Sequence, residues 1–339
     1  MNKIRFAVIG CGAIGNKHIE YLKNNPKAKI VAICDLDNNS LDKIKILEVK
    51  KYNNYLELLK NEKIDIVNIC TPHHTHFEIA FNSLKKHDVI LEKPMALYYE
   101  DCLKLNNQSE IHKTNLWVVK QNRFNSAVKK AVEVLKNQEI GNIKMFNCSI
   151  FWNRNDSYYL NSNWRGTINK EKGVLYTIGS HFIDMLIWIL GEVEIVKTVH
   201  LENNCKKYIE IEDYGSSVIK FKNGVIGSLQ WTTSVAEQNY EGSITLFGEK
   251  GTIKIGGKYL NELTYLNTQF DFLEEKPNQY SSYQGTSANH NVVFEKIIDC
   301  FISKQGKSEL VDGVEASKSI LLIDQIYTKF YGESQNTMV

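Results

Sequence analysis

Three sets of residues in this sequence are of types and spacings that do chemistry. Glu92-Lys93-Pro94 closes the apolar run Val89–Leu91. A lysine that needs only solvation belongs on an open helix face. One that precedes a proline is pushed out of the helical region of backbone space, so the chain itself aims it. An amine aimed in this way can polarise an oxygen, move its proton, or both. The second set is Gly10-x-Gly12-x-x-Gly15, continued through Ala13 and Ile14 into an amphipathic stretch. At that spacing the first glycine permits a tight turn and the second lets a pyrophosphate approach the backbone. The third lets helix and strand pack closely. The helix start then offers N–H groups and a positive dipole to the phosphates. A following apolar run ends in Asp35, about 20 residues past Gly15, where a carboxylate takes both ribose hydroxyls and repels a 2′-phosphate. That selects NAD over NADP, and Asp37 makes the corner more acidic. The third set is His181 and Asp184, three apart in a helical stretch and so neighbours on its surface. A buried, hydrogen-bonded histidine in helix packing fits that pattern equally well.

The cluster His73, His74, His76 raises a metal reading, but no cysteine or carboxylate completes a familiar zinc spacing. A turn and helix start at the cofactor, with Thr71, Pro72 and His76 beside it, explains the cluster better, and no metal is expected.

The elements that must position these residues alternate. "IRFAVI", "KIVAICDLD", "IDIVNICTP", "HDVILEKP" and "LWVVKQNRF" read as strands, separated by helical stretches such as "THFEIAFNSLKK" and "LYYEDCLKLNNQSEIHK". Thr75 and Glu78 have the capping-box spacing. Strands alternating with helices predict a parallel, doubly wound sheet, whose ligands lie at the carboxyl ends of its strands. Thr71-Pro72 and Glu92-Lys93-Pro94 are both at such ends. From about residue 123 the texture changes. A helix "AVKKAVEVLKNQEIG" leads into a strand "IKMFNCSIFWN" and a long polar, aromatic stretch "RNDSYYLNSNWRGTINKEKG"; loops of that length in compact domains tend to be functional. After the helix "YTIGSHFIDMLIWILG" come strands joined by turns, with Asn223-Gly224 as a hairpin signal. Two helices close the chain. The expected fold is α/β: a Rossmann domain over residues 1–122, then an α+β domain over residues 123–339 with a largely antiparallel open sheet.

Composition narrows the function. The 339 residues suggest about two domains at roughly 150 each. A net charge of +2 leaves no electrostatic footprint for nucleic acid. No apolar run approaches the roughly 18 residues of a membrane span. The first residues read as a strand and not a signal peptide. The seven scattered cysteines, Cys205 among them, fit buried thiols in a reducing compartment, and a cytoplasmic location follows.

Together, Gly10-x-Gly12-x-x-Gly15, Glu92-Lys93-Pro94 and Gly179-Ser180-His181-Phe182-Ile183-Asp184, in this order, resemble the Gfo/Idh/MocA oxidoreductases over nearly the whole chain. The resemblance implies reversible hydride transfer between the nicotinamide cofactor and a sugar or cyclitol carbon. Lys93 and His181 would flank the reacting alcohol, with the Lys93–Pro94 bond cis. It also implies a homodimer or homotetramer built on the open sheet. Many sugar dehydrogenases of the family carry an aspartate four residues before the histidine; Thr177 stands there, and it offers a hydrogen bond but no charge. "KQNRFN", "WNR", "YYLNSNWRGT", "GVLYTIGSHFIDMLIWILG" and "LVDGVEASKSI" further resemble the WlbA/WbpB branch, which oxidises C3 of UDP-N-acetylglucosaminuronic acid for surface-polysaccharide synthesis. Some of its members regenerate the cofactor with a 2-oxo acid. Such a substrate carries a carboxylate and a diphosphate. Arg123, Arg154 and Arg165 would bind these bidentately, and Tyr159 and Trp164 would stack on base or sugar, unless they are ordinary core.

Overall fold

A computed structural model describes residues 3–203, 208–265, 268–271, 277–279, 284–287, 289–303 and 309–334; Cys205 lies outside them. The chain divides into two compact units, residues 1–120 with 290–320, and residues 121–289 with 321–339.

The first unit runs β1 (Ile4–Ile9), α1 (Ala13–Asn24), β2 (Ala28–Cys34), α2 (Asn38–Lys43), β3 (Lys50–Tyr52), α3 (Tyr55–Asn61), β4 (Ile66–Ile69), α4 (His76–Ser83), β5 (Asp88–Leu91), α5 (Tyr99–His112) and β6 (Leu116–Val118). Its six strands form one parallel sheet in the order β3-β2-β1-β4-β5-β6. Every residue of β4 is buried, as are Val89–Leu91 in β5, which is why these strands read as unbroken apolar runs. α1 buries Gly15, His18, Ile19 and Leu22, the spacing of one helix face. Strand order reverses between β1 and β4, the place where such sheets bind ligands.

Two local expectations are corrected here. The strand expected through Phe124 stops at Val118, and Gln121–Phe124 form a 3-10 turn. Thr75 does not build a capping box: its hydroxyl donates to the Pro72 carbonyl and can accept from the Thr71 hydroxyl, both at 2.7 Å, so α4 starts through a 3-10 turn over His73–Thr75. The expected boundary at residue 122 also shifts. The next helix but three of the chain, His290–Ser303, buries Val293, Phe294, Ile297 and Ile298 within the first unit. Beyond it the Val118 N–H donates to Val311 at 2.9 Å and Trp117 bridges Asp312. Apolar burial and strand-edge pairing therefore return residues 290–320 to the Rossmann sheet.

The second unit contains α6 (Ser126–Lys136), β7 (Ile143–Phe151), α7 (Asp156–Leu160), α8 (Ser180–Leu190), β8 (Val193–Glu202), β9 (Tyr214–Phe221), β10 (Ile226–Thr232), β11 (Glu241–Gly248), β12 (Thr252–Gly256), β13 (Glu262–Tyr265) and β14 (Thr268–Asp271). The helix His290–Ser303 of the first unit is α9, and α10 is Gly313–Ser334. The eight strands form a sheet in the order β14-β13-β12-β11-β7-β10-β9-β8, antiparallel except for β7 against β10. Asn223-Gly224 makes the β9–β10 turn, with Gly224 at φ +89. Side chains alternate between the faces. Leu246, Phe146, Ile219 and Val196 are buried, whereas the neighbouring cross-strand row Phe247, Met145, Ile226, Lys220, Ile195 lies on the opposite face. In that row Met145 is 50%, Ile226 47% and Ile195 44% exposed.

Candidate active site

The glycine turn has the geometry of a phosphate cradle. Gly10 sits at φ +93, and a Cβ there would lie 2.6 Å from the Cys70 carbonyl carbon. A Cβ on Gly15 would come within 1.9 Å of the Gly10 oxygen, so helix and strand touch backbone to backbone. Gly12 differs: it is the N-cap of α1, with no side chain capping the helix, and a Cβ on it meets nothing within 4 Å. Unfilled space facing a helix N-terminus fits a pyrophosphate. Asp35 borders it. One carboxylate oxygen accepts the Cys11 N–H at 2.7 Å and the other the Asp37 N–H at 2.9 Å, which fixes the carboxylate beside the turn. Burial and the charge of Asp35 push the Cys11 thiol up to about 12, so it is an unreactive neighbour. Asp37 is not a second ribose acid. It caps α2, accepting from Asn39 N and Ser40 N, and those bonds hold its carboxyl below the usual range.

The ends of β4 and β5 are tied by one side chain. His76 has Nδ1 2.7 Å from the Pro94 carbonyl and Nε2 2.8 Å from the Thr71 carbonyl. The ring spans the two corners; burial lowers its pKa, opposed by the bonds to the Pro94 and Thr71 carbonyls. Expected as a cofactor contact, His76 is in this geometry a tie between the corners that carry Thr71-Pro72 and Lys93-Pro94. The Lys93–Pro94 bond is cis. Glu92 is buried, and its Oε2 accepts the Lys93 N–H at 3.1 Å. Its Oε1 lies 3.2 Å from His18 Nε2 and 3.7 Å from His290 Nε2. Sequence reasoning missed both histidines. His18 lies on the buried face of α1, a position that carries no motif, and His290 is 198 positions from Glu92 in the chain. Among the described residues these three bring ligating atoms within 4.8 Å of one another, and His73, His74 and His76 do not.

In the second unit α8 is entered through a π-helical turn over Leu175–Gly179. Such turns widen the helix, and here the displaced N–H groups find side chains: Val174 N donates to Glu212 Oε1 at 3.0 Å and Leu175 N to the Tyr327 hydroxyl at 3.1 Å. Burial raises the Glu212 carboxyl to about 7 against bonds from Tyr327, Val174 and Trp231 that lower it. Thr177 points its hydroxyl at Glu171, whose other oxygen accepts the Gly166 N–H at 2.5 Å. A carboxylate is therefore present one hydrogen bond beyond position 177, on the chain before the helix. It was invisible in the sequence because "NKEKG" reads as a solvated charged loop. Burial raises its pKa, opposed by Thr177, Gly166 and the charges of Arg165 and Arg154. His181 is buried on the first turn of α8.

Asp184 does not accompany His181. It takes Arg123 in a bidentate pair, Nε at 2.7 Å and Nη2 at 2.8 Å, and the guanidinium also lies 4.8 Å over the Trp188 ring. Arg123, expected as a substrate anchor, is 7% exposed and held by this pair; Arg154 is 3% exposed and donates to the Asn153 carbonyl and Asn239 Oδ1. Arg154 and Arg165 stay among aromatics: Arg154 is 5.0 Å over Trp152 and 5.3 Å over Tyr158, and Arg165 is 4.3 Å over Tyr158 and 5.2 Å over Trp164. Trp164 is half-buried. Tyr159 is buried edge-on to Tyr158, with its hydroxyl on Thr233 at 3.3 Å, so its face is core.

Comparison with known proteins agrees with both halves. A family model described as "Oxidoreductase family, NAD-binding Rossmann fold" matches residues 4–119, and one described as "Oxidoreductase family, C-terminal alpha/beta domain" matches residues 132–335. The chain is similar to the WlbA dehydrogenase of Bordetella pertussis, solved with NADH and UDP-GlcNAcA: 28% identity, TM-score 0.85, covering 97% of this chain and 96% of that one. The corresponding Chromobacterium violaceum enzyme, solved with the same two ligands, gives 30% identity and TM-score 0.85 over 97% of this chain and 94% of that one. The myo-inositol 2-dehydrogenase of Thermotoga maritima is 30% identical over 74% of each chain. The first unit is an NAD-binding Rossmann domain. No helix among the described residues is long and apolar enough to cross a membrane.

Proposed function

The chain belongs to the Gfo/Idh/MocA oxidoreductase family, and from that premise we propose that it oxidises C3 of UDP-N-acetylglucosaminuronic acid to the 3-keto sugar. The observation that carries the substrate is the pair Arg154 and Arg165, set among Trp152, Tyr158 and Trp164. Guanidinium groups flanked by aromatic faces suit a ligand with a carboxylate, a diphosphate and a planar base. A neutral polyol needs none of them. The likeness to two enzymes solved with UDP-GlcNAcA supports the same reading. NAD, when bound, supplies the hydride acceptor. Asp35 holds the adenosine ribose, and the α1 N-terminus at Gly12 holds the diphosphate. Lys93, aimed by the strand-end corner, polarises the C3 oxygen and moves its proton. His181 hydrogen-bonds the substrate, and Glu171 fixes the Thr177 hydroxyl one turn before it.

The test is mass spectrometry of the nucleotide sugar after incubation with NAD, UDP-N-acetylglucosaminuronic acid and 2-oxoglutarate. The 2-oxo acid regenerates a cofactor that stays bound, so turnover is not hidden. Loss of two hydrogens from the sugar is expected, and Lys93→Ala should lower turnover by about a hundredfold or more while NAD still binds. Activity confined to free sugars or cyclitols would sink the nucleotide-sugar assignment. The similarity to a myo-inositol 2-dehydrogenase favours that second reading.

A further inference from the structure

Glu92 is a carboxylate only 5% exposed, between two buried imidazoles drawn from distant parts of the chain. His18 comes from α1 and is 0% exposed; His290 opens α9 and is 2% exposed. Both bring Nε2 near the same oxygen, Glu92 Oε1, at 3.2 and 3.7 Å, and neither contact has the alignment of a hydrogen bond. The second oxygen is already used by the Lys93 N–H. On its far side His18 Nδ1 lies 3.1 Å from the Cys70 thiol and faces both ends of the Asn68 amide, Nδ2 at 3.2 Å and Oδ1 at 3.3 Å. If Nδ1 accepts from the thiol, which burial keeps protonated, the ring proton sits on Nε2, on the side of the carboxylate. The Phe294 ring, 4.8 Å from that of His18, closes the cluster. A buried charge without partners costs several kcal/mol and is ordinarily neutralised. Here three groups converge on it instead.

We infer that His18 and His290 are positioning residues for Lys93, acting through Glu92. His18 lies against the carboxylate and keeps it ionised, His290 covers it against water, and the fixed negative charge sets the charge and place of the amine next in the chain. The groups facing the carboxylate are Lys93 on its own corner, His18 and Lys17 on α1, His290 on α9 and the Cys70 thiol at the end of β4. Burial pushes Glu92 up, but His18 against its carboxylate, with His290 and Lys93 near it, holds it at about 2. Burial lowers His290 to about 3, so it stays neutral. Two histidines and a glutamate are also a zinc donor set. A divalent ion at Oε1 would compete with Lys93 for the one negative charge that Lys93 feels there, and like charges in a buried space oppose each other.

The inference rests on Lys93 being the reacting amine only for its kinetic arm. The primary experiment needs no substrate. Lys93 is acetylated in the full chain with limiting acetic anhydride across a pH series, and its labelling is read by peptide mass spectrometry. In Glu92→Gln and His18→Leu the midpoint of labelling should fall by about one pH unit or more. His18→Gln keeps a donor near the Nε2 position and should recover most of that shift. Where turnover is measurable, kcat should fall by about tenfold or more in His18→Leu, with KM changed about threefold or less. An unmoved midpoint in Glu92→Gln and His18→Leu would overturn the inference, as would failure of His18→Gln to restore it. Should His18→Leu not fold, nitrogen NMR of the wild-type histidines decides. A His18 ring protonated on Nε2 and a His290 that does not titrate between about pH 5 and 8 support the inference, and a His290 titrating near the ordinary value of about 6.5 overturns it. One equivalent of zinc lost on Glu92→Gln would also overturn it, in favour of a metal centre. A shifted midpoint without any dehydrogenase turnover would leave this inference standing and refute the function.

Discussion

Asp184 sits one turn from His181, yet its chemistry belongs to Arg123. The pair is nearly excluded from water and bidentate, so removing one member strands the other. Asp184→Ala is expected to cost about 3–5 kcal/mol of stability, read by denaturant unfolding. Glu212 makes a different prediction. Its carboxyl is raised from 4.5 to about 7 in the folded state, so between those values the folded chain holds a proton that the unfolded chain has lost. Its contribution to stability is present below about pH 4.5 and fades as pH rises through about 7. His290 works the other way: neutral when folded and protonated when unfolded, it lowers stability as pH falls from about 6.5 toward about 3. Melting temperature against pH should therefore fall on both sides, and Glu212→Gln should remove the fall above about pH 6 while leaving the acid limb. An unchanged alkaline limb in that variant would mean that Glu212 is not the group responsible.

At the scale of the element, the β1–α1 turn separates two uses of glycine. Gly15 has no room for a side chain, since a Cβ would overlap the Gly10 oxygen at 1.9 Å. Gly12 has room in this chain, in the space where we propose that the diphosphate lies. Gly15→Ala is expected to lower the melting temperature by several degrees and weaken NAD binding with it. Gly12→Ala should keep its melting temperature and lose NAD affinity alone, as calorimetry would show; a folding defect in Gly12→Ala would contradict the open space. The turn was legible in the sequence because its spacing, flanking strand and helix all follow from local backbone rules. The alternating sheet and the β9–β10 hairpin were legible for the same reason. What the sequence hid was pairing over distance. Nothing near Arg123 names Asp184 as its partner, nothing near Thr177 names Glu171, and Glu92 meets a histidine from α9 through the fold alone. The short β3 and its flanking α2 and α3 were missed because "KKY" has too few residues for a period to show.

At the scale of the whole molecule, the second sheet leaves an apolar row exposed on one face, Phe247, Met145, Ile226 and Ile195 around Lys220. Such rows on soluble sheets mark contact with another chain, and this is where we place the proposed homo-oligomer. Met145→Glu combined with Ile226→Glu should turn the assembly into monomers by light scattering; a wild-type chain that is already monomeric would refute the placement. The return of residues 290–320 to the first unit has a consequence for synthesis. A ribosome delivers His18 and Glu92 early and His290 only after the whole second sheet has emerged. Domains generally fold as they leave the tunnel, but this nucleotide-binding half cannot cover its α1 face until α9 arrives. A nascent chain stalled near residue 122 should accordingly be protease-sensitive and a client for chaperones. One stalled far enough past residue 320 to clear the tunnel should not, which makes the half that begins first wait for chain that lies beyond the whole second sheet.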